Sequence, residues 1–289
     1  RFIAKTVHGY GVSHVFYMPF IAPKALMEME KLGIKRVQAH GEKGAAYMAD
    51  GYARASGRPG VCMAQVVGAL NLAAGLRDAH LAHSPVIAMT GGREPQTKFR
   101  GVYQEVDDLP AFEPVTKLNA TVDAVERFPD MVRQAFRVAT SGTPGPVHLQ
   151  FRGNEGQIDA DAADMNVLCE EMYSQVPPFR PQALPEEVDA ALETLQQAAQ
   201  PVIVADGGVA ASGAGEELVK LAERLNIPVA TSLNGKDSIP GSHPLCVGVV
   251  GTYSRACANQ IVGQADLVCF VGTTAGSMTT HFWQVPPMG

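Results

Sequence analysis

Little of the 289-residue sequence is charged, and nothing concentrates the charge it has. Charged residues make up 18%, with 23 Lys and Arg against 29 Asp and Glu, and no stretch gathers the basic side chains. That pattern leaves neither a nucleic-acid footprint nor a membrane-binding surface, so no nucleic acid and no membrane are expected as partners. No apolar run approaches the ~18 residues that span a bilayer. The opening RFIAKTVHGYGVSHVF also lacks the charged, apolar and small-residue order of a signal peptide. Cysteines number five (Cys62, Cys169, Cys246, Cys257 and Cys269), widely spaced and without a C-x-x-C pair or a Cys/His cluster. They read as reduced packing residues of a cytoplasmic protein. Both ends, Arg1 and the closing P-P-M-G, read as cut.

What is abundant is apolar: 46% of the residues are hydrophobic, enough to cover sheets on both faces and to exclude a disordered chain. A single core stops growing near ~250 residues, so this length predicts two domains. Strand-like runs at 14–19, 35–39, 61–66 and 85–90 alternate with helical patterns at 23–32, 43–56 and 69–82. A helix at 128–140 and a last strand at 147–151 complete the first half. Buried parallel strands joined by crossover helices give this rhythm. Residues 153–185 dissolve into Gly, Asp, Ala and Pro, with Asp159, Asp161 and Asp164 close together, and read as a linker. Beyond it come helices at 186–199, 215–225 and 256–264 and strands at 201–205, 227–231 and 266–271, with a Gly-rich loop after the first strand. The fold class is therefore α/β, two doubly wound and mostly parallel sheets, divided as domain 1–155, linker 156–185 and domain 186–289.

The segment H-G-E-K-G-A-A-Y-M-A-D-G-Y-A-R-A-S-G-R-P-G-V, from His40 to Val61, carries the most information. Glu42 stands where a buried strand turns into a helix, and Gly44, Ala45, Ala49 and Ala53 share a narrow helical face that admits another backbone closely. The helix dipole alone accounts for an acid in a first turn, at about 0.3 to 1 kcal/mol. The run nevertheless resembles the cofactor-activating segment of thiamine diphosphate enzymes of the acetolactate synthase type. Further matches follow in order: Gly68-Ala69 with Asn71-Leu72, residues 85–91, Tyr103-Gln104-Glu105, Pro114-Val115-Thr116-Lys117, and Ser141-Gly142 with Pro144-Gly145-Pro146-Val147. Several spaced matches in one order are specific where one would be weak.

The resemblance implies a thiamine diphosphate-binding fold that holds the cofactor's pyrimidine, followed by a Rossmann-like central domain. It makes Glu42 the catalytic carboxyl group, which would hold the pyrimidine ring nitrogen and so let the cofactor's own amino group act as base. It implies cofactor contacts from Gln65, Gly68 and Asn71 and puts Gln104 and Lys117 close to the substrate; Phe20, where the family has backbone near substrate, and Arg93, just past a strand end where open α/β sheets hold ligands, are the other substrate candidates. Arg93, or Arg100 nearby, has the guanidinium that could meet a substrate carboxylate. The activity implied is decarboxylation of a small 2-oxo acid and transfer of the acyl carbanion equivalent. The alternatives are a decarboxylase or acyl-phosphate-forming transferase with another substrate, and a non-catalytic binding module of the same fold.

The departures from that pattern are equally specific. Met18-Pro19-Phe20-Ile21 replaces a glycine pair after the first strand, and Gln65-Val66-Val67-Gly68 replaces an S-G-P-G turn, which alters substrate space and cofactor contacts. The central domain reads Thr273-Thr274-Ala275-Gly276-Ser277 where flavin-holding relatives have an R-F-D-D-R type run, which argues against FAD. His80 and His83 form an H-x-x-H without a third ligand nearby, so no metal is assigned to them. The family binds the diphosphate through Mg²⁺ on a third domain with a G-D-G segment, and this sequence has none; Ala205-Asp206-Gly207 is nearest. The expectation is Mg²⁺ ligands on a domain absent from this chain, a homodimer or dimer of dimers, and a fragment inactive alone.

Overall fold

In the computed structural model, which describes residues 1–161 and 166–288, the chain divides into two compact units, Arg1–Phe179 and Arg180–Gly289. The first contains α1 (Phe2–Gly9), β1 (His14–Tyr17), α2 (Pro23–Lys31), β2 (Lys35–Gln38), α3 (Glu42–Ser56), β3 (Gly60–Ala64), α4 (Ala69–Leu81), β4 (Val86–Gly91), β5 (Leu118–Val122), α5 (Phe128–Thr140) and β6 (Val147–Phe151). Its six strands lie in the order β2-β1-β3-β4-β6-β5, all parallel. The expected α/β class holds.

Strand composition explains strand position. β3 and β4 are buried at every residue and read as unbroken small and apolar runs, as central parallel strands must. β2, Lys-Arg-Val-Gln, has polar ends that are exposed and lies at an edge, where charge deters further pairing. β5, the other edge, escaped the sequence reading because Leu-Asn-Ala-Thr-Val mixes polar and apolar residues. Its Asn119 is spent on the adjacent strand: its side-chain oxygen bonds His148 Nδ1 at 2.7 Å. The buried His148 ring also bonds Thr90 and stacks on Phe112, and burial holds it neutral, its pKa pushed down to about 3. On the opposite face of the sheet, Phe128, Val132, Ala135, Phe136 and Ala139 recur at helical spacing along α5 and close the larger core, with Tyr10 stacked on Phe136.

The second unit contains α6 (Pro185–Gln197), β7 (Pro201–Ala205), α7 (Gly207–Ser212), α8 (Gly215–Leu225), β8 (Val229–Thr231), β9 (Cys246–Val249), α9 (Ala256–Gln264), β10 (Leu267–Val271) and α10 (Ser277–Thr280). Its parallel sheet runs β10-β7-β8-β9. β9 was missed because Gly248, at φ +94°, breaks its pattern with a register shift, and the Gly-rich loop contains the short α7.

Part of the stretch read as linker is fastened to the first unit. Ile158 and Cys169 pack into its large core, and Val176 N–H donates to Gly57 C=O. Asp164 and Gly289 lie outside the described residues.

The small-residue face of α3 serves the close approach its sequence suggested: Ala45, Ala46, Ala49 and Ala53 are buried against β3 and α4, Gly44 being only half-buried. Gly60 lets the helix touch the strand, because a methyl group there would lie 2.1 Å from the Ala49 carbonyl oxygen. Gly60→Ala is expected to cost the first unit about 1–3 kcal/mol by overpacking, read from urea unfolding followed by circular dichroism.

Candidate functional site at the carboxyl ends of the first sheet

The chain runs from β1 out to β2 and returns to β3 on β1's other side. The carboxyl ends of β1 and β3 therefore flank a topological switch point, where open α/β sheets hold ligands. Three pieces of chain meet there. Glu42 opens α3 beyond the end of β2, with Gly41 as its extended N-cap. The turn Val66–Gly68, capped by Gln65, joins β3 to α4. Residues 152–157, after β6, cross the strand ends: Asn154 C=O accepts from Val66 N–H, Glu155 C=O from Ala22 N–H and Gly153 C=O from Gly92 N–H.

The Glu42 carboxyl group is half-buried and packed onto Gly68. A methyl group there would sit 2.2 Å from Glu42 Oε1 and 2.4 Å from its carboxyl carbon, so any side chain at this position would push the Glu42 carboxyl group aside. Asn71 Nδ2, one turn into α4, donates to Glu42 Oε2 at 3.2 Å. The structure thus brings together Glu42, Gly68 and Asn71, which are 26 and 29 positions apart from Glu42 in sequence. Val67 and Leu70, the chain neighbours of Gly68 and Asn71, and Tyr47 and Met48 further along α3 leave apolar side chains exposed.

Gln65 faces a neighbouring cleft of about 650 Å³, which Phe20 and Gln104 also line. Gln65 Nε2 donates to Gln104 Oε1 at 3.2 Å. Phe20 (φ +66°) and Gln104 (φ +65°) both sit in the left-handed region that non-glycine residues rarely adopt. Phe20 is 69% exposed, on the segment that stands in place of a glycine pair.

Two of the expected substrate residues are drawn elsewhere. Arg93 turns away to Val106 C=O (3.3 Å) and Asp107 (3.3 Å), satisfied within its own loop. Lys117 lies at the amino end of β5, at the opposite edge of the sheet. Its ammonium group takes the carbonyls of Val138 and Ser141 at the end of α5, where cations are favoured, and burial lowers its pKa. Arg100 is exposed on the loop.

Residues given no site role by the sequence hold the loops around the cleft together. Arg152 donates twice to Glu94 (3.0 and 3.1 Å), and also to Asp161 and to Asp123 C=O. Glu94 N–H in turn donates to Glu105. Asp108, 2% exposed, accepts from Gln150 Nε2 at 2.8 Å, while its other oxygen has no partner among the described residues. Burial pushes its carboxyl group up to about 6. The signal available was the run of charged residues between two strand ends, which reads equally well as a solvated loop.

In the second unit, Asp206 stitches the carboxyl ends of β7, β8 and β10. Its carboxylate accepts from Gly207 N–H (2.6 Å), Ser232 Oγ and Thr273 Oγ1 (2.6 Å). Gly208 packs directly on Gly272, so that a methyl group would lie 2.7 Å from the facing backbone. An anion already caps this crevice, and backbone fills its side. Among the described residues, no three His, Cys, Asp or Glu side chains are grouped as a metal ion requires, and no helix is long and apolar enough to cross a membrane.

Two family descriptions match the chain: "Thiamine pyrophosphate enzyme, N-terminal TPP binding domain" over residues 1–111 and "Thiamine pyrophosphate enzyme, central domain" over residues 188–288. A probable acetolactate synthase large subunit of Methanocaldococcus jannaschii is 36% identical over 278 residues, 93% of this chain and 46% of that protein. An acetolactate synthase of Arthrospira platensis is 34% identical, over 91% of this chain and 47% of its own length. A sulfoacetaldehyde acetyltransferase of Alcaligenes xylosoxydans xylosoxydans is 35% identical, over 93% and 44%. The chain spans about half the length of the curated relatives it matches.

The Asp108 geometry fixes a sign. The folded state holds its proton more tightly than the unfolded chain, whose value is near 3.8, so stability falls as pH rises from about 4 to about 6 and the cost is complete above that window. Asp108→Asn removes this component. The stability difference, wild type minus variant, is expected to decline between pH 4 and pH 7 in urea titrations. A difference constant with pH would show that the carboxyl group does not titrate in that window.

Proposed function

The chain belongs to the thiamine pyrophosphate enzymes of the acetolactate synthase-like kind, and from that premise we propose that the whole protein decarboxylates a 2-oxo acid and transfers the resulting acyl unit. The observation that carries this reading is the Glu42 carboxyl group seated on Gly68 at the switch point of the first sheet. When bound, thiamine diphosphate supplies a nucleophilic ring carbon and an electron sink for the bond beside the carbonyl. The residues present fit its pyrimidine. A half-buried carboxyl group whose one donor among the described residues is Asn71 keeps an acceptor or proton free for a ring nitrogen, and the exposed Val67 and Leu70 next to Gly68 and Asn71 suit a flat heterocycle.

In this reading Glu42 holds a proton against the pyrimidine nitrogen, Asn71 fixes the carboxyl group, and Gly68 gives it room. Gln65 borders the cofactor and, with Gln104 and Phe20, faces the substrate. Arg93, a substrate candidate from its place past a strand end, and Lys117, one from the resemblance, have their charges used within the fold. Mg²⁺ is assigned to a domain outside this chain. Flavin is not assigned: the capped crevice at Asp206 offers no free helix terminus to a diphosphate. The exposed apolar side chains of Tyr47 and Met48 on α3 and of Val67 and Leu70 around the start of α4 support a homodimer or dimer of dimers.

A second reading, acyl transfer to a different acceptor, is favoured by the sulfoacetaldehyde acetyltransferases, which are as similar as the acetolactate synthases. Assay of the complete parent with pyruvate for carbon dioxide and acetolactate separates the two. Carbon dioxide without acetolactate moves the assignment to the second.

In the parent protein, Glu42→Gln is expected to slow cofactor-dependent proton exchange at the thiazolium carbon by about a hundredfold, with far-ultraviolet circular dichroism unchanged. Exchange at the wild-type rate, followed by NMR, would remove Glu42 from this role. Gly68→Ala, which pushes the carboxyl group off its seat, is expected to weaken thiamine diphosphate binding measured by calorimetry.

A further inference from the structure

The cleft beside Gln65 has a one-sided charge. Among the described residues its lining includes Glu94, Glu105 and Glu155 and no Lys or Arg. Glu94 is neutralised by the two hydrogen bonds from Arg152. Among the described residues Glu105 accepts a backbone N–H, that of Glu94, and no side-chain donor. The Glu155 carboxylate has no partner among the described residues, although its backbone is fixed at both ends, the N–H on Gln157 Oε1 (3.0 Å) and the C=O on Ala22 N–H (2.7 Å). The nearby cations are committed or turned away. Arg152 is shared among Glu94, Asp161 and Asp123 C=O, and Arg93 is held by Asp107 and Val106 C=O. Lys98 lies over the Phe99 ring at 5.2 Å and Arg100 is exposed, and neither lines the cleft. The neutral polar side chains of the lining are the paired amides of Gln65 and Gln104, Asn154 tied to Tyr103 C=O, Thr97 bonded to Glu94 C=O, Gln157 bonded to Glu155 N–H, and Tyr103.

We propose that this cleft selects its substrate by charge, the Gln65–Gln104 amide pair taking a small carbonyl compound with at most one negative group while Glu105 and Glu155 exclude one with a second. This rests on the reading of the protein as a 2-oxo acid enzyme. The neutral amide pair puts no negative charge against one carboxylate; a second anionic group meets the half-buried carboxylates of Glu105 and Glu155, where like charges repel across several ångströms. Glu155 is the stronger determinant, because its charge is unshared and its backbone keeps it in place. The specificity is thus set against 2-oxo acids that carry a second carboxylate or a sulfonate.

The test uses the complete parent with its cofactors, comparing pyruvate with sulfopyruvate, which is pyruvate carrying a sulfonate. The readout is the ratio of kcat/KM for sulfopyruvate to that for pyruvate. Glu155→Gln is expected to raise this ratio about fivefold, and the Glu105→Gln, Glu155→Gln double variant further. Glu155→Asp, which keeps the charge, is expected to leave the ratio low. Raising NaCl from about 20 to about 500 mM is expected to raise the wild-type ratio more than that of the double variant. A ratio that stays within about twofold in both Gln variants, or falls, overturns the charge filter while leaving the 2-oxo acid reading intact. Turnover of neither acid by the wild type overturns that reading itself, and the filter with it.

Discussion

One carboxyl group resting on one glycine organises the first unit. For Glu42 to reach Gly68, α3 must lie tightly against both β3 and α4, and it does so through a face of alanines and through Gly60, where helix backbone meets strand backbone. Any bulk added to that stack would lift the start of α3 and carry the carboxyl group with it. The small-residue packing and the placement of the acid are therefore one constraint. The cost is a core face with few large side chains; the opposite face, with Tyr10, Phe128, Phe136 and Phe151, supplies the greater share of buried apolar volume.

The second organising element is the segment 152–157. It carries no helix or strand that would bring it to notice beyond one short turn, yet its carbonyls at Gly153, Asn154 and Glu155 bind three separate strand-end loops. Arg152 adds an ion-paired anchor on one side. A surface ion pair would contribute little, but Arg152 is only 18% exposed and reaches three groups, so it fixes geometry as well as charge. This is why the loop between β4 and β5 can hold Gln104 in a strained backbone conformation against Gln65.

The two sheets share an architecture and differ at their switch points. In the first, the crevice is left with a half-buried acid and an open cleft beside it. In the second, Asp206 fills the same topological position with its own carboxylate, satisfied by one backbone and two hydroxyl donors. A fold alone therefore does not decide which crevice takes a ligand; the side chain standing at the strand end does.

Periodicity sufficed for the class of fold, because parallel strands covered on both faces must be apolar runs, and every central strand was legible for that reason. The edge strand β5 and the shifted β9 were not, since edges tolerate polar residues and a left-handed glycine breaks the alternation. The run from His40 also made Glu42 legible, together with the small residues needed for close packing. What the linear sequence could not hold was direction. Lys117 and Gln104 occupy equally suggestive positions, but the sheet sends one to its amino edge, where carbonyls at the end of α5 claim the ammonium, and the other to its carboxyl edge. Likewise an arginine's charge is readable from sequence while its availability is not: Arg93 and Arg152 are consumed by partners that only folding brings within reach. Residue type and local period determined which elements form and which groups could react. Tertiary structure alone decided which of those groups face the same space, because that depends on where parallel strands end and which polar atoms are already satisfied.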